Sequence, residues 1–435
     1  MPQTRKKTLS PSWLVKLGRC GQSIGARSIG SVAEAPLAGI RVLEVGNYMA
    51  APYAGMQLAD LGAEVIKIEN PNGGDVVRGL GPFVDGESSP FIRLNRNKRS
   101  LALDLKTEEG KGVFGRLAAT VDIILENLRP GTMRQLGLDD ASLRPSNPRL
   151  IYVAASGWGQ DGPLKDQPGL DIMAQARSGL MSITGMPAGD PVKVGVPICD
   201  LVCALYGTLA AVAALYERQK SGHGQFIDVC LLESGVSFAI WEAGKYFANG
   251  EIPRPLGSAH QTNAPYQAVR SEDGWFTIGA ATDKTWIAFC RALGLQAMLE
   301  DPRYRDMNLR HEHRDTLIAS IEELTVARPT AHWLRLLEAA GVPCAPIQDY
   351  GQVFTDEHLL ARTYFWDAPH PTLGAVRQLG SPMRFSRTPV RRDVAGPRLG
   401  EDSADILNEL GYNPEEIDRL LTKGVIGIAE TVSSQ

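Results

Sequence analysis

The sequence predicts an α/β layered domain, and three observations carry that prediction. Apolar, β-rich segments alternate with segments of helical spacing between residues 40 and 155. Strand, helix and strand follow one another inside residues 40–69, the βαβ unit that joins parallel neighbours. A stretch from residue 200 to 219 reads as a helix that is almost wholly apolar through its middle, so it must be buried.

Residues 40–45 alternate in polarity and are rich in β-branched side chains, which predicts a strand. Residues 51–61 have helical spacing, Gly62 stops them, and residues 63–69 give the second strand. The pattern continues with a strand at 100–105, a helix at 108–121, and strands at 122–126 and 150–155. Helices are predicted at 171–182 and 200–219, the latter ended by Gly222-His223-Gly224, with a short strand at 225–230. Pro253, Pro255, Gly257 and Pro265 mark a linker. Beyond it come a strand at 275–279 and helices at 282–293, 314–325 and 330–340. After Ile347 the chain reads as loop-rich and strand-poor, ending in an acidic helix near 401–410. The expected division is a basic extension over 1–35, a large domain of 36–250 with 346–435, and a small domain of 255–345.

Composition excludes several classes. With 435 residues, 43% apolar and 22% charged, the chain has the make-up of an ordinary globular protein large enough to bury a core. Its 45 basic and 49 acidic side chains leave a net charge of -4, which offers no general attraction to nucleic acid or an anionic membrane. The longest apolar stretch, 201–215, is shorter than the roughly 20 residues of a spanning helix, so neither a membrane nor a nucleic-acid partner is expected. Six cysteines without a CxxC pair read as reduced thiols, not as a disulfide scaffold or zinc site. Residues 1–33 hold six basic side chains and no acid. A cytoplasmic protein is expected, with the mitochondrial matrix as the alternative if that stretch is a transit peptide.

Among local motifs, Gly157-Trp158-Gly159-Gln160-Asp161-Gly162 matches GxGxxG, but Pro163 follows and no helix begins there, so it reads as a turn. The basic run Arg93 to Arg99 reads as a solvated loop, with a phosphate site as the alternative. Asp200 opens the long apolar helix: it is either an N-cap or a carboxylate kept ionised by helix amides and poised as a nucleophile. Asp171 stands in the same way before the preceding helix.

Seven strings occur in order: Gly62-Ala63-Glu64-Val65-Ile66-Lys67-Ile68-Glu69, Asn95-Arg96-Asn97-Lys98-Arg99-Ser100, Leu103-Asp104-Leu105-Lys106, Glu126-Asn127-Leu128-Arg129-Pro130-Gly131, Gly157 to Pro163, Gly195-Val196-Pro197-Ile198-Cys199-Asp200 and Gly222-His223-Gly224-Gln225. Together they resemble the class III CoA-transferases, the CaiB/BaiF family, over nearly the whole chain from Leu37. The resemblance implies a Rossmann-like large domain with a smaller inserted α+β domain, and two chains interlocked as a homodimer. It implies transfer of coenzyme A between an acyl-CoA and a free carboxylic acid, with the thioester as substrate and no resident cofactor or metal. The nucleophilic aspartate falls on Asp200, with Asp171, Gly257 and His260 in support. The CoA cleft falls on Tyr48, Met49 and Ala50, on Leu103 and Lys106, and on Asn127, Leu128 and Arg129. The family's further arginine falls near Gln135, so Arg134 stands in for it. Where some members carry a glycine-only loop this chain has Leu256-Gly257-Ser258-Ala259-His260, whose amides from Gly257 to Ala259 are candidate oxyanion donors. That stretch looks most like the branch using succinyl-CoA and glutarate or hydroxymethylglutarate, with Arg254, Arg78 or His260 as candidates for a second carboxylate. Two alternatives remain: an α-methylacyl-CoA racemase, which needs a His where this chain has Leu170, and a protein that binds CoA esters without chemistry.

Overall fold

A computed structural model of the protein describes residues 34–429; the basic stretch 1–33 lies outside the described residues. The central element is a seven-stranded sheet. Six strands are mutually parallel: β1 (Arg41–Val45), β2 (Glu64–Glu69), β3 (Lys98–Leu103), β4 (Ile123–Glu126), β5 (Ile151–Ser156) and β6 (Phe226–Cys230). Their spatial order is β3-β2-β1-β4-β5-β6, and Ile426–Gly427 adds antiparallel to the outer edge of β3. The chain winds outward from β1 in one direction and then returns to wind outward in the other. That reversal leaves a crevice between the carboxyl ends of β1 and β4, where open α/β sheets bind ligands.

Helices cover both faces. On one, α1 (Ala50–Asp60) and the 24-residue α4 (Ile198–Ser221) pack Ala54, Leu58, Ala204, Ala211 and Leu215 onto Val42, Val65, Ile123 and Val153. On the other, α2 (Glu108–Ala118) and the C-terminal helices Ser403–Glu409 and Pro414–Thr422 bury Phe114, Leu117, Ile406 and Leu420 against Leu43, Ile66, Leu101 and Ile124. The predicted helix at 171–182 is broken at Gly179 (φ +86°), which leaves α3 as Asp171–Arg177. After β6 come α5 (Leu231–Val236) and α6 (Ile240–Asn249), a stretch to which the sequence pattern assigns no element. An antiparallel three-stranded sheet of Tyr266–Arg270, Trp275–Gly279 and Cys344–Pro346 has its own core around Phe276, Phe289, Ile321 and Trp333. The strand-poor reading beyond Ile347 misses a hairpin, Phe365–His370 with Gly374–Leu379.

The reading of residues 93–99 as a solvated loop or phosphate site is corrected. Arg96 is buried and forms a bidentate pair with Asp60 at 3.0 and 2.6 Å, and Asn97 donates to the same carboxylate at 3.0 Å. Lys98 lies 2.6 Å from Glu44, and Arg99 pairs with Glu64 and Glu409. Acids on neighbouring elements, invisible in a local reading of the run, occupy Arg96, Lys98 and Arg99, while Arg93 donates to Ser89. The pairs belong to a larger charged layer beneath α1. Glu44 accepts Lys67 on one oxygen at 2.8 Å and faces Lys98 with the other, while Asp75 lies 2.9 Å from Lys67. Burial pulls the Lys67 ammonium down, but Glu44 and Asp75 more than offset it and hold its pKa above the ordinary lysine value. Lys98, with Glu44 as its main partner against the same burial, falls to about 8.

Gly55 shows what this layer demands. It faces the Glu44 carboxylate, and a Cβ there would overlap Glu44 Oε2. A Gly→Ala change inside a helix ordinarily stabilises by about 1 kcal/mol. At this position Gly55→Ala should instead lower the melting temperature, as a thermal scan of the two proteins will show.

Candidate active site

The crevice is bordered by the turn between β1 and α1. Gly46 has no room for a side chain: a Cβ would lie 2.6 Å from that of Ala51 and 2.9 Å from Asn127 Oδ1. Asn127, just past β4, clamps the next residue twice. Its Oδ1 accepts from the Asn47 amide at 3.0 Å and its Nδ2 donates to the Asn47 carbonyl at 2.8 Å. Tyr48 takes the left-handed conformation (φ +64°), its ring half exposed and its amide donating to Asp75 at 3.2 Å. Met49 then caps α1 and Ala50 begins it. Ala50 is buried in one small cluster with Ala155, Ala174, Cys199, Cys203 and Leu231. That cluster joins the β1–α1 turn to the start of α4, so residues predicted from distant strings meet at the carboxyl edge of the sheet.

Asp200 is the third residue of α4, and Pro197, not Asp200, is the N-cap. The reading of Asp200 as a carboxylate that gathers helix amides is therefore corrected. Those amides go to Asp171, whose Oδ1 accepts from Cys199 N at 2.9 Å and from Asp200 N at 3.3 Å. Gln175, fully buried one turn along α3, donates to the other oxygen of Asp171 and accepts from Val194 N at 2.8 Å. Asp171 thus fixes the beginning of α4. The Asp200 carboxylate has no hydrogen bond or ion pair among the described residues. Burial, with the negative Asp171 beside it, pushes its pKa up to about 7. The neighbouring Cys199 thiol is pushed up to about 11 by burial and the same carboxylates, so it stays protonated near neutrality and does not compete as a nucleophile.

The remaining predicted residues divide. Arg129 is exposed beyond β4 and Leu128 is half-buried, its amide donating to Glu126 at 2.7 Å. Arg134 lies over a cleft of about 610 Å³ with Glu126, Tyr152, Lys165 and Phe226, 3.4 Å from Asp139. Burial raises the Glu126 carboxyl to about 8. Lys106 is exposed after β3, whereas Leu103 packs into the core under α2 and offers the cleft no side chain. Gly257 and His260 are held elsewhere: Gly257 donates to Gly185 O at 2.8 Å, and His260 stacks on Tyr266 at 4.9 Å. Two of the three amides expected as oxyanion donors are already engaged, because Ala259 also donates, at 3.1 Å, to Leu256 O. Arg78 is likewise committed, forming a bidentate pair with Glu69 at 2.7 Å and lying 3.7 Å over the Phe91 ring. Arg254 is exposed at a cavity of about 610 Å³ shared with Trp241, Glu242 and Lys245. Sequence reasoning missed Gln175, Asp75 and Lys67. For Gln175 a signal existed: it stands four residues after Asp171, the spacing of one helix face.

A family model, CoA-transferase family III, matches residues 37–403. The chain belongs to CoA-transferase family III. It is 37% identical to succinyl-CoA:glutarate CoA-transferase of Mus musculus over 398 residues, 91% of each chain. It is 38% identical to succinate–glutarate CoA-transferase of Agrobacterium fabrum over 394 residues, covering 89% of this chain and 98% of that one. Among solved structures, a CaiB/BaiF family protein from Brucella suis superposes with a TM-score of 0.79 at 36% identity, covering 87% of this chain and all of the other. This CoA-transferase therefore has the family's fold, and the turn read from GxGxxG is a turn: Gly159 has φ +96° and donates to Ser156, with no helix following.

The Asp200 environment sets a pH signature. Its carboxyl is raised from 3.8 to about 7, so between those values the folded protein holds a proton that the unfolded chain releases. The contribution of Asp200 to stability is thus lost as pH rises through that window. Asp200→Asn should melt higher than the parent at pH 8, with the gap closing towards pH 4, which paired thermal scans across pH will measure.

Proposed function

We propose that this CoA-transferase moves coenzyme A from succinyl-CoA to a free dicarboxylic acid of the glutarate type, through covalent intermediates on Asp200. One observation carries the mechanism. The structural carboxylates around the crevice are paired with cations or amides, whereas Asp200 sits half-buried at the start of α4 with neither. The names of the murine and Agrobacterium relatives support the two acids. Leu170, which precedes Asp171, cannot shuttle a proton, which sets the racemase aside.

In the proposed sequence the ionised Asp200 attacks the thioester carbonyl. The C–S bond breaks, and CoA leaves as thiolate, giving a mixed anhydride. The thiolate then attacks the aspartyl carbonyl of that anhydride, freeing the donor acid as its carboxylate and leaving an aspartyl-CoA thioester. The acceptor carboxylate attacks the thioester, and the same steps run in reverse. Every bond broken is replaced by one formed, and no proton must be moved. Asp171 and Gln175 hold the helix start that presents Asp200; Asn127, Tyr48 and Met49 frame the thioester; Arg129, Arg134 and Lys106 are the cations within reach of its phosphates. Arg254 is the cation left for the second carboxylate of the acceptor.

The functional unit we propose is a homodimer. Leu205, Leu209 and Tyr216 of α4 and Ile240, Trp241 and Phe247 of α6 are exposed apolar side chains on one chain. A second copy covering them would also shield the anhydride from water. Sedimentation should give twice the chain mass; a monomer in solution would sink this arrangement.

The test of function is mass spectrometry on the protein with succinyl-CoA and a panel of free dicarboxylic acids. Formation of one new acyl-CoA with equal release of succinate is expected. Succinyl-CoA left intact with every acceptor overturns the substrate assignment. Asp200→Ala should lose transfer by a factor of 10³ or more, on the order of the loss of a nucleophile. In the parent, kcat/KM for the thioester should fall about tenfold per pH unit below an apparent pKa near 7.

A further inference from the structure

The turn between β1 and α1 is gripped at three successive residues by groups from three other segments. The Gly46 carbonyl accepts from Lys67 Nζ at 2.8 Å. The Asn47 backbone is clamped by Asn127. The Tyr48 amide donates to Asp75 Oδ1 at 3.2 Å. Tyr48 needs this support. A non-glycine residue at φ +64° is strained, and such a conformation persists only where its surroundings over-determine it. Asp75 is well suited to provide it. Its Oδ1 also accepts from Val77 N at 3.0 Å, its own amide donates to Glu69 at 3.1 Å, and its other oxygen faces Lys67 at 2.9 Å with both side chains fully buried. The Lys67–Asp75 contact is an ion pair that locks the carboxylate while Oδ1 remains directed at the turn.

We propose that Asp75, locked by Lys67, is a positioning residue that sets the affinity for the CoA thioester by holding Tyr48 and Met49 in the shape the thioester meets. The proposal rests on the reading that this turn lines the CoA cleft. Asp75 itself is buried beneath the turn and acts through it. Fixing the turn before the ligand arrives removes an ordering cost from binding, so its loss weakens the thioester and spares the free acid.

The experiment compares Asp75→Leu with Asp75→Asn in the full-length protein, after circular dichroism confirms folding. Asp75→Leu should raise KM for the acyl-CoA at least tenfold and leave KM for the free acid within twofold. Asp75→Asn keeps an acceptor for the Tyr48 amide and should return KM for the acyl-CoA to within threefold of the parent. If Asp75→Leu does not fold, Asp75→Ser, polar but too short to reach the turn, carries the same expectation. An unchanged thioester KM, an equal rise in both KM values, or an Asn variant no better than Leu overturns the proposal. Arg129→Ala separates the two readings. Loss of thioester affinity there with none in Asp75→Leu overturns the positioning role alone; no loss in either overturns the cleft assignment with it.

Discussion

The Glu44 carboxylate is the constraint on which the rest of the molecule is arranged. It lies fully buried on β1, and its two oxygens face Lys67 of β2 and Lys98 of β3, so one side chain ties three adjacent strands beneath α1. The layer extends through Asp75, Glu69 and Arg78, with Ser100 donating to Glu69 at 2.7 Å. Lys67, Lys98 and Arg78 balance Glu44, Glu69 and Asp75, so the layer is neutral when all six are ionised. Such a layer need not stabilise more than a well-packed apolar one would. Removing one member, however, leaves an uncompensated buried charge and costs about 3–5 kcal/mol. The layer therefore has to be kept whole, and it fixes its surroundings: Gly55 has no side chain because Glu44 needs the space, and the Pro52 carbonyl is turned to Lys98 at 2.7 Å.

The consequence for function runs upward from that layer. Lys67 reaches past Glu44 to the backbone of the β1–α1 turn, so the rigidity of the buried charges is passed to the edge of the sheet. There the crevice made by strand order meets the start of α4, joined through the cluster around Ala50 and Cys199. Two carboxylates at that helix start then divide the work. Asp171 takes the amides and becomes structural, which leaves Asp200 without hydrogen-bonding partners and with a pKa near neutrality.

Much of the sheet was legible because alternation and glycine stops are local signals. β1, β2, β4 and β5 lie within a residue or two of their expected bounds. Local signals also mislead where the partner is remote. Ile66-Lys67-Ile68-Glu69 alternates as a half-exposed strand does, yet Lys67 and Glu69 are buried, because the acids and cations that neutralise them stand on other elements. The same blindness made Arg96 to Arg99 look like a solvated loop. It made Asp200 look like an N-cap, since nothing in its own segment reveals that Asp171 already accepts the amides. Gly257 and Ala259 were misjudged as free donors for a related reason. A glycine promises a free amide, but whether a carbonyl such as that of Gly185 already receives it is a tertiary fact.

On the proposed mechanism, burial is what suits Asp200 chemically to a nucleophilic role. An exposed aspartate has a pKa of about 3.9, some four to five units below a CoA-like thiol at about 8.5, and is a correspondingly poor match for displacing a thiolate. Raised to about 7, Asp200 lies within about two units of that leaving group. In the proposed mechanism that smaller gap makes Asp200 a stronger nucleophile towards the thioester than an exposed aspartate would be. An arginine beside Asp200, or the amides that Asp171 now receives, would favour its charged form, lower its pKa and, on the proposed mechanism, weaken it as a nucleophile. The lack of a partner for Asp200 is in this sense the product of everything packed around it, from the Asp171–Gln175 pair to the apolar cluster at its back.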